Sequence, residues 1–237
     1  MSCMQLCGLK FVFSGDEFVS TDACIVASNH RNRLDWLFLW GLFVRYGRLQ
    51  YHKIMLKAPL KHLPGPGWAT QAMCFLFVER SWEKDEAYIS SWIQYYQNQN
   101  YPLQLVMFPE GTDLSAGNLK RSHAFSEKSG LPVYEYVMHP RVKGFCSTVQ
   151  QLRSTTDAVY DVTIGYPKGL PQNEKELAMG MFPGEVHIHV KRYLMMSIPD
   201  NEDDLGQWVK DRWADKEQRL KAFYAQARKG GWHTVLV

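Results

Sequence analysis

The sequence predicts an α/β protein built on a mixed, largely parallel sheet covered by helices, and three observations carry that prediction. Short, wholly apolar runs recur along the chain and stop at turn residues, which is how strands buried on both faces read. Between them lie segments with apolar residues at three- and four-residue spacing, so strands and helices alternate as they do in crossover-connected sheets. The chain has 237 residues, 46% hydrophobic and 22% charged, which is enough for one sizeable core and too apolar for disorder. A single domain over 1–237 is expected, with 203–229 as a C-terminal amphipathic helix.

In order along the chain, LKFVFS at 9–14 reads as a first strand ended by Gly15-Asp16, and ACIVA at 23–27 as a second. The second ends on the polar pair Asn29-His30, and a helix begins by Asp35. Its apolar stretch over 34–44 is shorter than a bilayer span. Basic and aromatic residues at 45–53, RYGRLQYHK, read as a solvated connection. Pro59, Pro64 and Pro66 break any long element over 54–68, and Gly65 and Gly67 lack the third glycine and the feeding strand of a dinucleotide fingerprint. CFLFV at 74–78 is a short buried strand running into Glu79-Arg80. A helix follows over 85–96, with Ile89, Trp92, Ile93 and Tyr96 on one side.

The clearest core strand is LQLVMF at 103–108, which ends in Pro109-Glu110-Gly111-Thr112. A helix over 121–129 stops at Gly130, and 133–139 leads to Pro140-Arg141. Strands are predicted at 158–166 and 185–193; Leu205, Trp208, Val209, Leu220, Phe223 and Tyr224 mark a final amphipathic helix.

Composition narrows the function. A net charge of +3 is too small and too dispersed for nucleic-acid binding, though it suits an anionic membrane or substrate. Five scattered cysteines, Cys3, Cys7, Cys24, Cys74 and Cys146, make neither a zinc spacing nor a disulfide framework and suggest a reducing, cytosol-facing environment. Eight Trp among 14% aromatics fit a well-filled core or a surface that meets lipid. His187 and His189 share a strand face but lack a third ligand, so no metal is expected. A Gly-x-Ser-x-Gly elbow, a Walker loop and a His-Glu-x-x-His helix are all missing from the sequence.

The most reactive combination is His30 with Asp35. Histidine exchanges protons near neutrality, and a carboxylate within reach fixes its tautomer. At the carboxyl end of a strand it would stand where open α/β sheets bind ligands. If the strands before His30 and Glu110 are parallel, Glu-Gly-Thr shares that edge. A helix-starting Asp beside an unrelated His, and a simple turn at Glu-Gly-Thr, are the rival accounts of the two features.

Four ordered blocks now enter: NHRNRLD at 29–35, FVER ending in Arg80, FPEGT at 108–112 and VMHPR at 137–141. They resemble the four blocks of the glycerolipid acyltransferase family, which includes the 1-acylglycerol-3-phosphate acyltransferases. The longer strings NHRNRLDWLFLW, LKAPLKHLPGPGWATQA, LQLVMFPEGTDL and AFSEKSGLPVYEYVMHPR are similar to its lysocardiolipin acyltransferase branch. The resemblance covers essentially the whole chain. It implies the fold of that family and transfer of a fatty acyl chain from acyl-CoA to the free hydroxyl of a lysophospholipid in a membrane. Lysocardiolipin, lysophosphatidylglycerol or lysophosphatidylinositol would be the acceptor, with 1-acylglycerol-3-phosphate as the substrate-level alternative.

In that reading His30 and Asp35 are the H-x4-D catalytic base and its orienting partner. Arg80, Glu110, Gly111 and Thr112 line the acceptor site, Lys57 approaches the lipid phosphate, and Pro140 belongs to the block associated with acyl contact. The resemblance implies acyl-CoA as co-substrate, no cofactor, and a cytosol-facing place on the endoplasmic reticulum or another endomembrane. Two residues depart from the pattern: Cys74 stands where many members have Gly, and Asp113 where Arg commonly follows Glu-Gly-Thr. Members of this branch also carry flanking apolar membrane segments, whereas this sequence has no run of the ~18 apolar residues a span needs. The chain is therefore expected to be soluble or peripheral, with a fragment and a catalytically silent lipid-binding module as the alternatives.

Overall fold

The structure is a computed structural model that describes residues 8–79, 81–167, 170–171 and 173–228. Seven strands form one sheet: β1 (Lys10–Gly15), β2 (Cys24–Ser28), β3 (His52–Lys57), β4 (Leu76–Val78), β5 (Gln104–Met107), β6 (Ala158–Gly165) and β7 (Glu185–Leu194), in the order β1-β7-β6-β2-β5-β3-β4. All neighbours are parallel except β6 and β7, which run antiparallel. The mixed, largely parallel α/β sheet is thus the one the sequence predicts.

The central strands explain why the prediction succeeds. Every residue of β2, β5 and β6 is buried, because helices cover both faces and each strand has neighbours on both sides. Alternation survives within the burial: Cys24 and Val26 face one core while Ile25 and Ala27 face the other. The first core is closed by α1 (Asp35–Arg45), which buries Phe38, Leu39, Leu42 and Phe43. The second is closed by α3 (Trp82–Asn98), α5 (Val142–Leu152) and α7 (Glu202–Arg228), which contribute Ile89, Trp92, Phe145, Val149, Leu205, Val209 and Trp213. Two short helices, α2 (Pro66–Ala72) and α6 (Glu174–Ala178), and α4 (Ala116–Ser129) complete the set. Gly130 ends α4 at φ 63°, a left-handed cap that glycine adopts freely.

Four elements, β3, α2, α5 and α6, have no counterpart in the sequence reading. The stretch read as a solvated connection holds the start of β3, which is paired to both β5 and β4. Its polar letters conceal burial. His52 packs against Phe43 at 4.4 Å, and burial pulls its imidazole down to about 3, keeping it neutral. Lys53 runs its stem inward and donates its ammonium to the Met73 carbonyl at 2.9 Å. Helix α5 has no counterpart among the predicted elements, although its buried Phe145, Cys146, Val149 and Leu152 recur at helical spacing.

Candidate active site

Strands β2 and β5 are parallel neighbours, with Ala27 opposite Met107, so the residues that follow them emerge together at one sheet edge. Asn29 fixes the first loop: its buried side chain both donates to and accepts from the backbone of Ile164 on β6, at 3.1 and 2.8 Å. His30 follows. Its carbonyl accepts from Leu114 N–H at 2.8 Å, tying the two loops, and its ring stacks on Phe108 with centroids 4.3 Å apart.

The bend between His30 and Asp35 folds them into contact, with Nδ1 3.1 Å from Oδ2. Asp35 is 0% exposed in the first turn of α1, where the helix N-terminus favours a negative charge. Two further donors hold it: the Asn32 N–H at 2.8 Å and the Tyr166 hydroxyl at 2.5 Å. Asn32 is itself locked, its side chain accepting from Leu34 N–H and donating to the Pro171 carbonyl, both at 2.8 Å. A carboxylate that receives three donors acts as an acceptor, so His30 Nδ1 carries the proton and Nε2 is the basic nitrogen. Burial, with Asp35 beside it, pushes the Tyr166 hydroxyl well above the usual phenol range, keeping it a donor.

Glu110 lies behind this corner. It accepts from the His30 backbone N–H, the Met138 N–H and the Trp213 indole N–H, each at 3.1 Å. Burial raises its carboxyl to about 7, against the pull of those three donors. Gly111 turns the chain at φ 74°, and the Arg141 side chain lies so close that a Cβ there would come within 2.8 Å of Nε. The positive φ favours glycine at this position, and any side chain there would also have to displace Arg141.

In front of His30 opens a cavity of about 830 Å³. Leu37, Met55, Leu56, Ile89, Phe108 and Phe145 give it apolar walls, and Arg33, Lys57, Arg141 and Lys143 bring cationic side chains to it. Asp85 and Asp113 also reach it, but Asp85 is occupied by the Glu79 and Ser81 N–H groups at 2.8 and 3.1 Å. The arrangement can take a proton from a hydroxyl at Nε2 while an apolar chain and an anion share the cavity.

Of the residues singled out from sequence, His30, Lys57, Gly111 and Thr112 line this cavity together. Asp35, Glu110 and Pro140 are buried outside its lining. Thr112 accepts from the Asn118 amide at 3.0 Å. Arg80 lies outside the described residues. His187 is bonded to Glu185 at 2.9 Å and His189 to Ser14 at 3.0 Å. The sequence reading did not single out Tyr166, Trp213, Arg33 or Lys143. Tyr166 is 131 positions from Asp35 and Trp213 is 103 from Glu110, so no local spacing reveals either pair.

A family model described as acyltransferase matches residues 10–167, and one described as acyltransferase C-terminus matches 176–234. Over 219 residues the chain is 47% identical to lysocardiolipin acyltransferase 1 of Mus musculus, covering 92% of this chain and 58% of that protein. It is 37% identical over 226 residues to lysophosphatidylinositol acyltransferase 10 of Caenorhabditis elegans, covering 93% and 58%. The chain thus spans a little over half the length of these curated relatives. The crystal structure of the 1-acyl-sn-glycerophosphate (LPA) acyltransferase PlsC from Thermotoga maritima superposes with a TM-score of 0.55 at 19% identity, covering 90% of this chain and 73% of that one, which shows a shared fold.

Proposed function

The chain belongs to the glycerolipid acyltransferase family, and from that premise we propose that it transfers a fatty acyl group from acyl-CoA to the free hydroxyl of a lysophospholipid. The observation that carries this reading is the His30 Nδ1 to Asp35 Oδ2 contact at 3.1 Å, with the ring on the wall of a large, mostly apolar cavity. His30 Nε2 removes the acceptor's hydroxyl proton as that oxygen attacks the thioester carbonyl. Asp35 holds the tautomer and stabilises the imidazolium. As the tetrahedral intermediate collapses, the carbon–sulfur bond breaks and the imidazolium returns the proton to the CoA thiolate. The histidine ends as it began, and a thioester is reactive enough for direct transfer.

Arg33, Lys57, Arg141 and Lys143 suit the phosphates of the acceptor or of CoA, and the apolar walls suit acyl chains. Lysocardiolipin, lysophosphatidylglycerol and lysophosphatidylinositol are the acceptors proposed, by likeness to the relatives, with 1-acylglycerol-3-phosphate as the runner-up. The place of action proposed is the cytosolic face of the endoplasmic reticulum or another endomembrane. Among the described residues no helix is long and apolar enough to cross a membrane.

Purified protein, labelled acyl-CoA and these lysolipids in vesicles test the reading. Labelled phospholipid is expected from the native chain and none from His30→Ala. Equal product from both proteins rejects the mechanism.

A further inference from the structure

One surface of the molecule breaks the usual pattern of burial. From Pro59 to Cys74 the chain is exposed almost throughout, only Gly67 and Thr70 being buried, and the exposed side chains include large apolar ones: Leu60 37%, Leu63 47%, Trp68 65% and Met73 36%. The segment is rigid in build. Gln71 donates to the Lys61 carbonyl at 2.7 Å, which ties α2 back onto the turn before it, while Thr70 donates within the helix to the Pro66 carbonyl at 2.9 Å. A Cβ on Gly67 would come within 2.5 Å of the Leu60 carbonyl, which shows how closely the two pieces meet. Thr70 and Gln71 are bonded within the segment while its large apolar groups face outward.

Charge and position say what covers this face. Residues 57–73 contain Lys57, Lys61 and His62 and no Asp or Glu. Trp and Lys together, on an exposed apolar segment that itself carries no acid, make the composition of a surface that sits at an anionic lipid headgroup layer. The face is also continuous with the cavity, whose wall includes Leu60, Leu63, Pro66 and Gly67.

We propose that the segment over 57–73 docks on an anionic bilayer, with Trp68 at the headgroup level and Lys61 on lipid phosphates, so that the cavity opens to the leaflet and the acceptor enters from the side. The proposal deepens the acyltransferase reading, and rests on it only for the identity of what enters.

Flotation with vesicles tests it, comparing phosphatidylcholine alone with a mixture containing about one third phosphatidylglycerol. The native chain is expected to float with the anionic vesicles and much less with the neutral ones. Trp68→Ser is expected to lower the bound fraction about tenfold and Lys61→Gln about fivefold. Neither side chain lines the cavity, so both variants are expected to acylate a short-chain, monomeric lysophospholipid at the native rate. Quenching by brominated lipid, compared between the native chain and Trp68→Phe, reads the same contact without loss of the aromatic ring. Absence of vesicle binding, as when a protein partner covers this face, overturns the proposal. Binding that ignores both substitutions and leaves Trp68 unquenched overturns it too. Anionic binding through this face by a chain inert on every acceptor leaves the docking surface standing while the acyltransferase reading falls.

Discussion

Two buried acidic side chains hold the same histidine, one by its ring and one by its backbone. Asp35 grips its ring, and is held in turn by Tyr166 and the Asn32 N–H. Glu110 grips its backbone, and shares itself with Met138 and Trp213. The first contact reaches the ring that would change protonation during a reaction; the second reaches only the peptide that carries it. Burial alone therefore does not make a carboxylate catalytic: which atom of the histidine it touches decides whether its loss appears in turnover or in stability.

The sharpest way to break that comparison is Asp35→Asn. The amide cannot hold the Nδ1 proton in the same sense, and kcat for acyl transfer is expected to fall by ~10⁴ if the histidine works as the base of a protease triad does. The thermal midpoint should move little by comparison. A kcat within about tenfold of the native value would remove Asp35 from the mechanism.

Glu110 should answer through stability. Its carboxyl ionises at about 7 in the folded chain, against 4.5 for an unperturbed glutamate, so the native state keeps a proton that the unfolded chain releases. The resulting stabilisation is complete below pH 4.5 and is lost as the pH rises through 7, on the order of 3 kcal/mol across that window. Glu110→Gln is expected to flatten this slope in urea unfolding curves recorded from pH 4.5 to 7, with kcat changed far less than by Asp35→Asn. An undiminished slope would assign the titration to another group.

Tyr166→Phe separates the ring contact from the rest of the Asp35 corner. It removes one donor from a carboxylate that keeps two, so a loss of about tenfold in kcat is expected, with KM nearly unchanged. A structural role alone would lower the melting temperature and leave kcat intact.

Much of this was legible in the sequence, and the reason lies in which interactions are local. Strands β2, β5 and β6 are buried on both faces and so appear as largely apolar runs. His30 and Asp35 sit within one bend, and Glu-Gly-Thr closely follows a strand, so each motif carries its own context. What stayed hidden is either non-local or disguised. Tyr166 and Trp213 meet their carboxylates only because β6 and α7 pack beside β2 and β5. Strand β3 begins with His52 and Lys53, whose burial depends on rings supplied by Phe43, Tyr96 and Tyr101. The acyltransferase family was recognisable from the motifs alone, whereas Glu110, read as lining the acceptor site, turns out to lie behind the wall, since a motif reveals which residues gather and not which way each one faces.

The smallest predicted effect provides a control remote from both carboxylates. Cys74, noted as replacing the usual glycine, has φ 54°, in the left-handed region where a side chain crowds its own backbone. Its carbonyl is fixed by the Trp92 indole at 3.2 Å and the Tyr96 hydroxyl at 3.3 Å, so the backbone cannot relax to a commoner conformation. The strain of a non-glycine residue there is about 1 kcal/mol, partly offset by the greater freedom glycine has when unfolded. Cys74→Gly should therefore stabilise the fold by roughly 0.5 kcal/mol, without altering the Glu110 slope or kcat. A destabilised Cys74→Gly protein would mean that the exposed thiol makes a contact worth more than the strain it imposes.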